Sequence, residues 1–362
     1  MRLVFSAGGT GGHIFPALAV ADEIKKRHPK AEILFIGAEG KMEMERVPKA
    51  GYPIKGLWIS GFLGKSIFSK MKTLIKLFHS MLKSRKILKD FNPDIVLGFG
   101  GFASVAPVFT ATLMRYPTMV QEQNSFPGLT NRLLGKRVDA VCTSYEVAGK
   151  ALGNKNVHLT GNPVRSGISE PVSKKEALEH FKLDANTKTV LVVGGSLGAR
   201  TFNRAMRDST KEIKKSGVQF IWQIGKGNFE DFRISQTAEL PNVLPLAFLD
   251  RMDLAYAVAD VVVARAGALT ISEMSVLGKA TLLVPSPNVS EDHQTKNAMA
   301  LVEKDAAKIL RDNECEEKMI NEVLGMIQDN EVIKNLEKNI KKLARPNATS
   351  DIADLIEKII KS

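Results

Sequence analysis

Ser6-Ala7-Gly8-Gly9-Thr10-Gly11-Gly12-His13 lies between the apolar run Leu3-Val4-Phe5 and an amphipathic segment that begins near Pro16. This order predicts a strand, a glycine turn and the start of a helix. Such a junction directs backbone N–H groups and the positive end of a helix dipole at one point, and an anion can approach the main chain because glycine carries no Cβ. The stretch therefore predicts a site for a phosphate or diphosphate.

Two familiar phosphate-binding fingerprints are missing from the sequence. It contains no GxxxxGK[ST] motif, and the spacing of Gly8, Gly9, Gly11 and Gly12 does not match GxGxxG. The alternative interpretation is a strand-to-helix turn that needs glycine only for its tight geometry. Four glycines and a histidine within residues 8–13 favour a ligand site over that alternative.

Length and cysteine content indicate a globular protein of two domains. The chain has 362 residues, which suits two hydrophobic cores. Cys142 and Cys315 are far apart and lack CxxC spacing, so we expect reduced thiols in a cytosolic compartment, with neither a disulfide framework nor a zinc site. The sequence has no signal-peptide pattern and no apolar run of about 18 residues. It is therefore expected to be neither secreted nor membrane-spanning.

The net charge of +12 is concentrated in the first half of the chain. Residues 1–163 contain 23 Lys and Arg against 11 Asp and Glu, whereas the remaining residues contain 28 of each class. A basic domain beside a neutral one favours an anionic surface partner, either a nucleic acid or an acidic membrane. No nucleic acid is expected, because no recognition motif occurs and the basic residues are not interleaved with stacking aromatics.

The second half of the chain repeats the order of strands and glycine turns found in the first. Strands predicted at 2–7 and 32–37 flank a helix at 16–28. The same order returns at 189–193, 202–214 and 218–225, while 260–273 parallels 94–104 and 280–294 parallels 118–128. Two Rossmann-like domains explain this repeat.

The predicted fold class is α/β, with two doubly wound, Rossmann-like domains facing across a cleft. The Gly, Asn and Pro of residues 160–165 mark a connector, so the domains are placed at 1–163 and 164–345, and a C-terminal helix at 346–362 is expected to pack back on the first. Ligands collect at the carboxyl ends of the strands in open α/β sheets, and both halves place their glycine loops there. The cleft is therefore the predicted active site.

A long helix predicted at 66–89 is basic on one side and apolar on the other. Eight basic residues and no acidic residue lie between Lys65 and Lys89. Such a helix can lie in a membrane interface, with its apolar side in the acyl boundary and its lysines at anionic headgroups. The alternative is a core helix with a solvated basic face.

Seven motifs, taken in order, resemble the MurG family, the bacterial N-acetylglucosaminyltransferases that complete lipid II. They are GGTGGH (8–13), GFGGFAS (98–104), QEQN (121–124), GNPVR (161–165), GGSLGA (194–199), RAGALTISE (265–273) and DHQTKNA (292–298). The resemblance implies a GT-B fold. It also implies inverting transfer of N-acetylglucosamine from UDP to the 4-hydroxyl of a muramoyl-pentapeptide carried on undecaprenyl diphosphate.

The resemblance further implies that the second half holds UDP-N-acetylglucosamine. Its implied contacts are Arg165 and Ser196 to the diphosphate or sugar, the Leu249 backbone to uracil, the Ala268, Leu269 and Thr270 N–H groups to phosphate, Glu273 to the ribose and Gln294 to the sugar. Glu273 suits its role because a carboxylate on the first turn of a helix is favoured by the dipole and can accept from two vicinal hydroxyls. The alternative for Glu273 is a helix-capping carboxylate.

On the acceptor side, Thr10, Gly11, Gly12 and Asn124 are expected to line the cleft, and Gly100, Gly101 and Ser104 to meet the acceptor diphosphate. His13 is the candidate base, because positive charge is disfavoured at a helix N-terminus and a neutral imidazole can accept a proton. A positioning role or structural capping are the alternatives for His13.

No metal and no cofactor are expected. The chain has no DxD motif, and helix N-termini together with Arg165 can meet the charge of the leaving UDP. Glu43 and Glu45 form an ExE that we interpret as a solvated helical stretch.

This sequence departs from the family pattern at two places. Phe102 stands where relatives often have tyrosine, which removes a phenol hydrogen bond to the acceptor, and His293-Gln294 replaces the two glutamines of some members. Two other functions remain open: a UDP-N-acetylglucosamine epimerase of the same fold, and a non-catalytic membrane-binding partner. The expected location is the cytoplasmic face of the cell membrane, as a peripheral protein attached through residues 66–89.

Overall fold

A computed structural model describes residues 1–60, 67–164, 167–168, 172–195 and 197–361. Contacts divide the chain into two compact units. One consists of Met1–Arg165 with Arg345–Ser362, and the other is Ser166–Ala344. The first unit thus contains both chain termini.

Seven parallel strands form the sheet of the first unit, in the order β3-β2-β1-β4-β5-β6-β7. The strands are β1 (Arg2–Ser6), β2 (Glu32–Ala38), β3 (Ile54–Leu57), β4 (Ile95–Gly98), β5 (Thr118–Glu122), β6 (Ala140–Thr143) and β7 (Val157–Leu159). The helices that follow them are α1 (Gly11–Arg27), α2 (Glu43–Lys49), α3 (Ile67–Phe91), α4 (Val105–Leu113), α5 (Leu129–Leu134) and α6 (Glu146–Leu152). Apolar side chains are buried on both faces of the sheet, as parallel sheets require.

Six parallel strands form the sheet of the second unit, in the order β10-β9-β8-β11-β12-β13. They are β8 (Thr189–Val193), β9 (Gln219–Gln223), β10 (Val243–Leu246), β11 (Val261–Ala264), β12 (Ala280–Leu283) and β13 (Lys308–Ile309). The helices are α7 (Lys174–Phe181), α8 (Arg200–Asp208), α9 (Thr210–Lys215), α10 (Phe229–Phe232), α11 (Met252–Val258), α12 (Ala268–Leu277), α13 (His293–Val302), α14 (Cys315–Gln328) and α15 (Asn330–Lys341). A final helix, α16 (Ala348–Lys361), belongs to the first unit.

In each sheet the strand order reverses direction beside the first strand of that unit. The reversal lies between β1 and β4 in the first unit and between β8 and β11 in the second. Doubly wound sheets bind ligands in the crevice outside the carboxyl ends of the strands at this point. The fold therefore places the loops after β1, β4, β8 and β11 where a ligand is expected.

Two helices differ from their predicted bounds. Helix α1 begins at Gly11 instead of near Pro16, so Gly11, Gly12 and His13 form its first turn. The proline is accommodated inside the helix, even though glycine and proline both weaken a helix prediction. The single helix predicted at 202–214 is two helices, because Ser209 leaves the helical conformation with φ −108° and ψ 33°.

Candidate active site

The loops after β1 and β4 pack backbone against backbone at the carboxyl edge of the first sheet. Gly101 has φ 74°, and a Cβ at this residue would overlap the Gly8 carbonyl oxygen. Only glycine combines this left-handed conformation with such a close approach. The two glycine stretches singled out in the sequence therefore form one surface.

His13 lies in the first turn of α1, half-buried against this surface. Its Nδ1 is 3.0 Å from the Gly8 carbonyl oxygen and 3.2 Å from Thr10 Oγ1. A carbonyl oxygen can only accept, so Nδ1 carries the proton of the neutral ring and the lone pair is on Nε2. A Cβ at Gly100 would lie 3.1 Å from that Nε2, so glycine at 100 leaves space beside the accepting nitrogen.

Glu43 and Glu45 do not share the solvated role that the sequence suggested. Glu45 is exposed and pairs with Lys49, whereas the Glu43 side chain has 0% exposure. Glu43 Oε2 accepts the Gly9 N–H at 3.1 Å, and Oε1 accepts the Ala38 N–H at 2.9 Å. The prediction of a solvated stretch is wrong for Glu43, which joins the start of α2 to the loop after β1.

Ser104 is fully buried, in contrast to the exposed position that a diphosphate ligand requires. Its Oγ lies 2.7 Å from the Ser6 carbonyl oxygen and 2.8 Å from that of Gly100. The hydroxyl therefore joins the loops after β1 and β4 from within. The prediction that Ser104 contacts the acceptor diphosphate is therefore wrong, whereas Gly100 and Gly101 remain predicted contacts.

Glu122, at the end of β5, organises the loop that carries Asn124. This buried carboxylate accepts from Asn124 N at 2.9 Å and Asn124 Nδ2 at 3.1 Å through Oε1. Through Oε2 it accepts from Gly128 N at 3.0 Å and Asn131 Nδ2 at 2.9 Å. The sequence signal for Glu122 was its place within QEQN at the end of a buried strand, but its role depends on partners up to nine residues away.

Two of the predicted donor residues, Arg165 and Ser196, lie outside the described residues. In the second unit, Gly198 of the loop after β8 is tightly constrained. Gly198 has φ 76°, and a Cβ there would overlap the carbonyl oxygen of Ile224, at the end of β9. The loop after β8 therefore contacts the backbone that follows the neighbouring strand.

Glu273 is buried in the second turn of α12, not in the first turn as the sequence suggested. The dipole argument is weaker at this position, because the field of a helix terminus decays within the first turn. Its Oε2 accepts a hydrogen bond of 3.0 Å from the Tyr256 hydroxyl. Glu273 is thus not a helix cap; its carboxylate is oriented by the hydrogen bond from Tyr256.

The first turn of α12 presents its backbone N–H groups after β11. Ala268, Leu269 and Thr270 are half-buried there, and the preceding Gly267 has no side chain to cap the helix. The first N–H groups of a helix have no intrahelical acceptor, which suits them to phosphate oxygens.

Leu249 and Gln294 flank this region in the chain. Leu249 is buried in the core of the unit. Gln294, in the first turn of α13, accepts the Ser286 N–H at 2.8 Å through Oε1. The neighbouring His293 lies 3.4 Å from the Glu291 carboxylate.

Arg265 is a residue whose role the sequence did not reveal. Its Nη1 lies 2.5 Å from Asp312 Oδ1, its Nη2 donates to Thr201 Oγ1 at 3.0 Å, and its guanidinium lies 4.6 Å from the centre of the Phe202 ring. Arg265 therefore links the end of β11 to the start of α8, the two elements beside the reversal of the second sheet.

The cysteines are separate and buried, and burial raises the pKa of both thiols to about 12. Among the residues that the structure describes, no group of three or more His, Cys, Asp or Glu is arranged to hold a metal ion. Within the same residues no helix is long and apolar enough to cross a membrane.

Each half of the chain matches a domain of a known protein family. Residues 3–143 match the glycosyltransferase family 28 N-terminal domain, and residues 189–358 match the glycosyltransferase family 28 C-terminal domain. The chain belongs to glycosyltransferase family 28. These matches include the loops after β1, β4, β8 and β11 that the fold brings to the reversal points.

Two family 28 relatives align with this chain over almost their whole length. Both are named UDP-N-acetylglucosamine--N-acetylmuramyl-(pentapeptide) pyrophosphoryl-undecaprenol N-acetylglucosamine transferase. The one from Christiangramia forsetii is 50% identical over 99% of this chain and 98% of its own, and the one from Phocaeicola vulgatus is 47% identical over 99% and 96%. The resemblance to the MurG family is confirmed.

Solved structures agree on the fold. MurG from Acinetobacter baumannii superimposes with a TM-score of 0.79 at 27% identity, covering 99% of each chain. The expected GT-B class with two Rossmann-like domains is confirmed. A UDP-N-acetylglucosamine 2-epimerase from Neisseria meningitidis reaches a TM-score of 0.68 at 14% identity over 99% of this chain and all of its own, which shows only that it shares this fold.

Proposed function

We propose that this family 28 glycosyltransferase transfers N-acetylglucosamine from UDP-N-acetylglucosamine to the 4-hydroxyl of undecaprenyl-diphosphate-linked N-acetylmuramoyl-pentapeptide, converting lipid I to lipid II. The observation that carries the proposal is the near end-to-end identity of 44–50% with enzymes that bear this name. The epimerase alternative has only a shared fold in its support.

The first unit supplies the groups for the acceptor. The N–H groups at Gly11, Gly12, Gly100 and Gly101 suit the acceptor diphosphate. Thr10 lies on the loop after β1, and Asn124 lies on the loop after β5. His13 Nε2 takes the proton of the 4-hydroxyl as its oxygen attacks the anomeric carbon. The bond from that carbon to the UDP phosphate oxygen breaks in the same displacement, which inverts the configuration.

The second unit, together with Arg165 of the first, supplies the groups for the donor. Glu273 accepts from the ribose hydroxyls, the Leu249 backbone pairs with uracil, and the N–H groups of Ala268, Leu269 and Thr270 meet the diphosphate. Arg165 and Ser196 share that role, and Gln294 contacts the sugar. Preorganised N–H donors stabilise the charge that develops on departing UDP without reorganisation cost at the moment of reaction.

Helix α3 supports binding to an anionic membrane at the cytoplasmic face. Its buried positions include the small polar residues Thr73, Ser80 and Ser84. Large apolar residues, by contrast, have 54–65% of their surface exposed: Met71, Leu74, Ile75, Phe78 and Leu82. Leu88 and its neighbours in α3 pack into the core, but these five apolar residues face outward. This distribution opposes the alternative of a core helix whose solvated face is only basic.

The decisive experiment incubates the purified protein with labelled UDP-N-acetylglucosamine, with and without the lipid-linked muramoyl acceptor. We expect UDP release only when the acceptor is present, together with label in the lipid product. Conversion of the donor without acceptor would favour the epimerase, and absence of any turnover would favour the non-catalytic partner. Either result would overturn the proposal.

A further inference from the structure

One peptide group, between Gly8 and Gly9, is hydrogen-bonded at both ends by side chains, those of His13 and the sequence-distant Glu43. Its N–H donates to Glu43 Oε2 at 3.1 Å. Its carbonyl oxygen, 3.0 Å from His13 Nδ1, accepts the imidazole N–H. The Glu43 carboxylate, the Gly8–Gly9 peptide group and the His13 imidazole thus form a continuous chain of hydrogen bonds.

The surrounding residues are shaped to receive the Glu43 side chain. A Cβ at Gly8 would overlap Glu43 Oε1, and a Cβ at Gly37 would overlap its Cγ. The side chain is fully buried, and its two oxygens accept from the backbone N–H groups of Gly9 and Ala38. Acceptance through both oxygens matches an ionised carboxylate, which carries no proton to donate.

Hydrogen bonds in such a chain polarise one another. A carboxylate that accepts the amide N–H polarises the peptide group, and this increases the negative charge on its carbonyl oxygen. A more negative carbonyl oxygen is a stronger acceptor for Nδ1–H, which fixes the tautomer and stabilises the imidazolium once Nε2 is protonated. A carboxylate that hydrogen-bonds directly to a histidine has the same two effects.

We propose that Glu43 is a positioning residue that acts on His13 through the Gly8–Gly9 peptide group, holding the proton on Nδ1 and making Nε2 more basic. The inference rests on the proposed function insofar as His13 is the base. It assigns Glu43 a role beyond packing, since a purely structural carboxylate would support the loop without changing how the imidazole titrates.

The first test measures the imidazole of His13 in the intact protein without substrate. Nitrogen-15 NMR follows its titration and tautomer in wild type, Glu43→Gln and the matched control Glu45→Gln, an exposed residue on the same helix. In Glu43→Gln we expect the midpoint to move to lower pH, by about 0.5 to 1, and the Nδ1–H tautomer to lose population. An unchanged titration and tautomer in folded Glu43→Gln would overturn the inference.

The second test separates kcat from KM. Glu43→Gln is expected to lower kcat about tenfold or more while the KM for UDP-N-acetylglucosamine stays within twofold, and to move the acidic limb of the pH–rate profile to lower pH. Glu43→Asp, which keeps the charge but shortens the side chain, is expected to lie between wild type and Glu43→Gln in both readouts. A fall in kcat with no movement of the acidic limb would identify a packing role and contradict the inference.

The two proposals fail differently. If His13→Ala retains normal turnover, His13 is not the base, whereas the NMR titration still decides whether Glu43 acts on the imidazole. If Glu43→Gln does not fold, Glu43→Asp provides the same NMR measurement, because it retains an acidic acceptor. A Glu43→Asp titration identical to wild type would then overturn the inference.

Discussion

His13 and Glu43 show how burial decides the chemistry of a single residue. Glu43 and Glu45 are two positions apart on one helix, yet one is a buried acceptor of two backbone N–H groups and the other a surface partner of Lys49. The difference arises because α2 packs Glu43 against the end of β2, just before it, and against the loop after β1, which is distant in the sequence. A charged residue type by itself therefore does not indicate solvation.

Substitution of His13 is expected to slow turnover. His13→Ala removes the accepting Nε2, so we expect kcat to fall by about 10² to 10⁴. The KM for UDP-N-acetylglucosamine should be preserved, because His13 is not among the proposed donor contacts. Steady-state kinetics with the lipid acceptor measure both constants, with His180→Ala, at an exposed position of α7, as the control. Normal turnover in His13→Ala would remove it from the mechanism.

The second prediction concerns the ribose contact. Glu273→Gln replaces a charged acceptor by a neutral amide, and hydrogen bonds to charged groups contribute about 1.5 to 3 kcal/mol. We expect the KM for UDP-N-acetylglucosamine to rise about ten- to a hundredfold with a smaller change in kcat, and titration calorimetry with UDP should report the same loss.

Two variants serve as comparisons for Glu273→Gln. Tyr256→Phe removes the hydroxyl that holds Oε2 at 3.0 Å and should weaken UDP binding less, since the carboxylate remains. Glu230→Gln, an exposed carboxylate on α10, should bind UDP as wild type does. Wild-type affinity in Glu273→Gln would refute the ribose contact.

Among the helices, α3 differs from α14 and α15 because it exposes several large apolar side chains. Helices α14 and α15 bury their apolar residues, as amphipathic helices of globular domains do. Helix α3 instead exposes large apolar side chains next to lysines: Lys76 lies 4.8 Å from the centre of the Trp58 ring, and Trp58 is itself exposed. An apolar surface bordered by cations matches an anionic lipid interface.

The prediction for α3 tests this surface. Phe78→Gln with Leu82→Gln should lower binding to anionic vesicles by a factor of about ten or more, because burial of each apolar side chain contributes about 1.5 to 3 kcal/mol. Unfolding free energy should change by less than about 0.5 kcal/mol, since both residues are exposed. Vesicle co-sedimentation at low and high salt measures binding.

Trp58 offers a local readout and Ile234 a control. Trp58 emission should move to shorter wavelength when vesicles are added, whereas Trp222 is fully buried in the second unit and should stay constant. Ile234→Gln changes an equally exposed apolar residue outside α3 and should bind vesicles as wild type does. Undiminished, salt-insensitive binding by the double variant would contradict the membrane proposal.

At the scale of the whole molecule, the last helix completes the first unit. Ile352, Ala353 and Ile356 of α16 are buried in the same core as the residues of β1 and α1. Arg27, at the end of α1, pairs with Glu23, Asp354 and Glu357. Residues 345–361 are thus part of the fold of the first 165, and the segment between them forms a unit with its own sheet.

The prediction at this scale is a pH dependence of stability. The hydrogen bond from His28, and then that from Arg27, lowers the pKa of Glu357. Its folded value therefore lies below the value of about 4.3 for an unfolded glutamate. The resulting stabilisation is present above the unfolded value and is lost as the pH falls through the folded value.

Hydrogen exchange of α1 in wild type and Glu357→Gln measures this contribution. Wild type should exchange more slowly at about pH 6, and the two proteins should converge towards about pH 3. Lys361→Ala, an exposed change on the same helix, should match wild type throughout. A difference that persists undiminished at low pH would contradict the assignment to Glu357.

The sequence by itself determined the α/β class, the repeat of two Rossmann-like halves and the loops that carry the site. These features follow from local patterns: apolar runs of strand length, glycine turns after them and the order of motifs from Gly8 to Gln294. The start of α1 was misplaced because Gly11, Gly12 and Pro16 argue locally against a helix that tertiary packing stabilises.

Only the tertiary structure decided which polar residues are buried and hydrogen-bonded to the backbone of the loops. The motifs predicted ligand contacts for both Ser104 and Glu273. Burial shows that Ser104 joins two loops instead, and the start of α12 at Ala268 puts Glu273 in the second helical turn. The roles of Glu43, Glu122 and Arg265 depend on hydrogen-bond partners that the chain brings together from separate elements. Because a hydrogen bond depends on distances of about 3 Å between folded backbones, no local pattern contains that information.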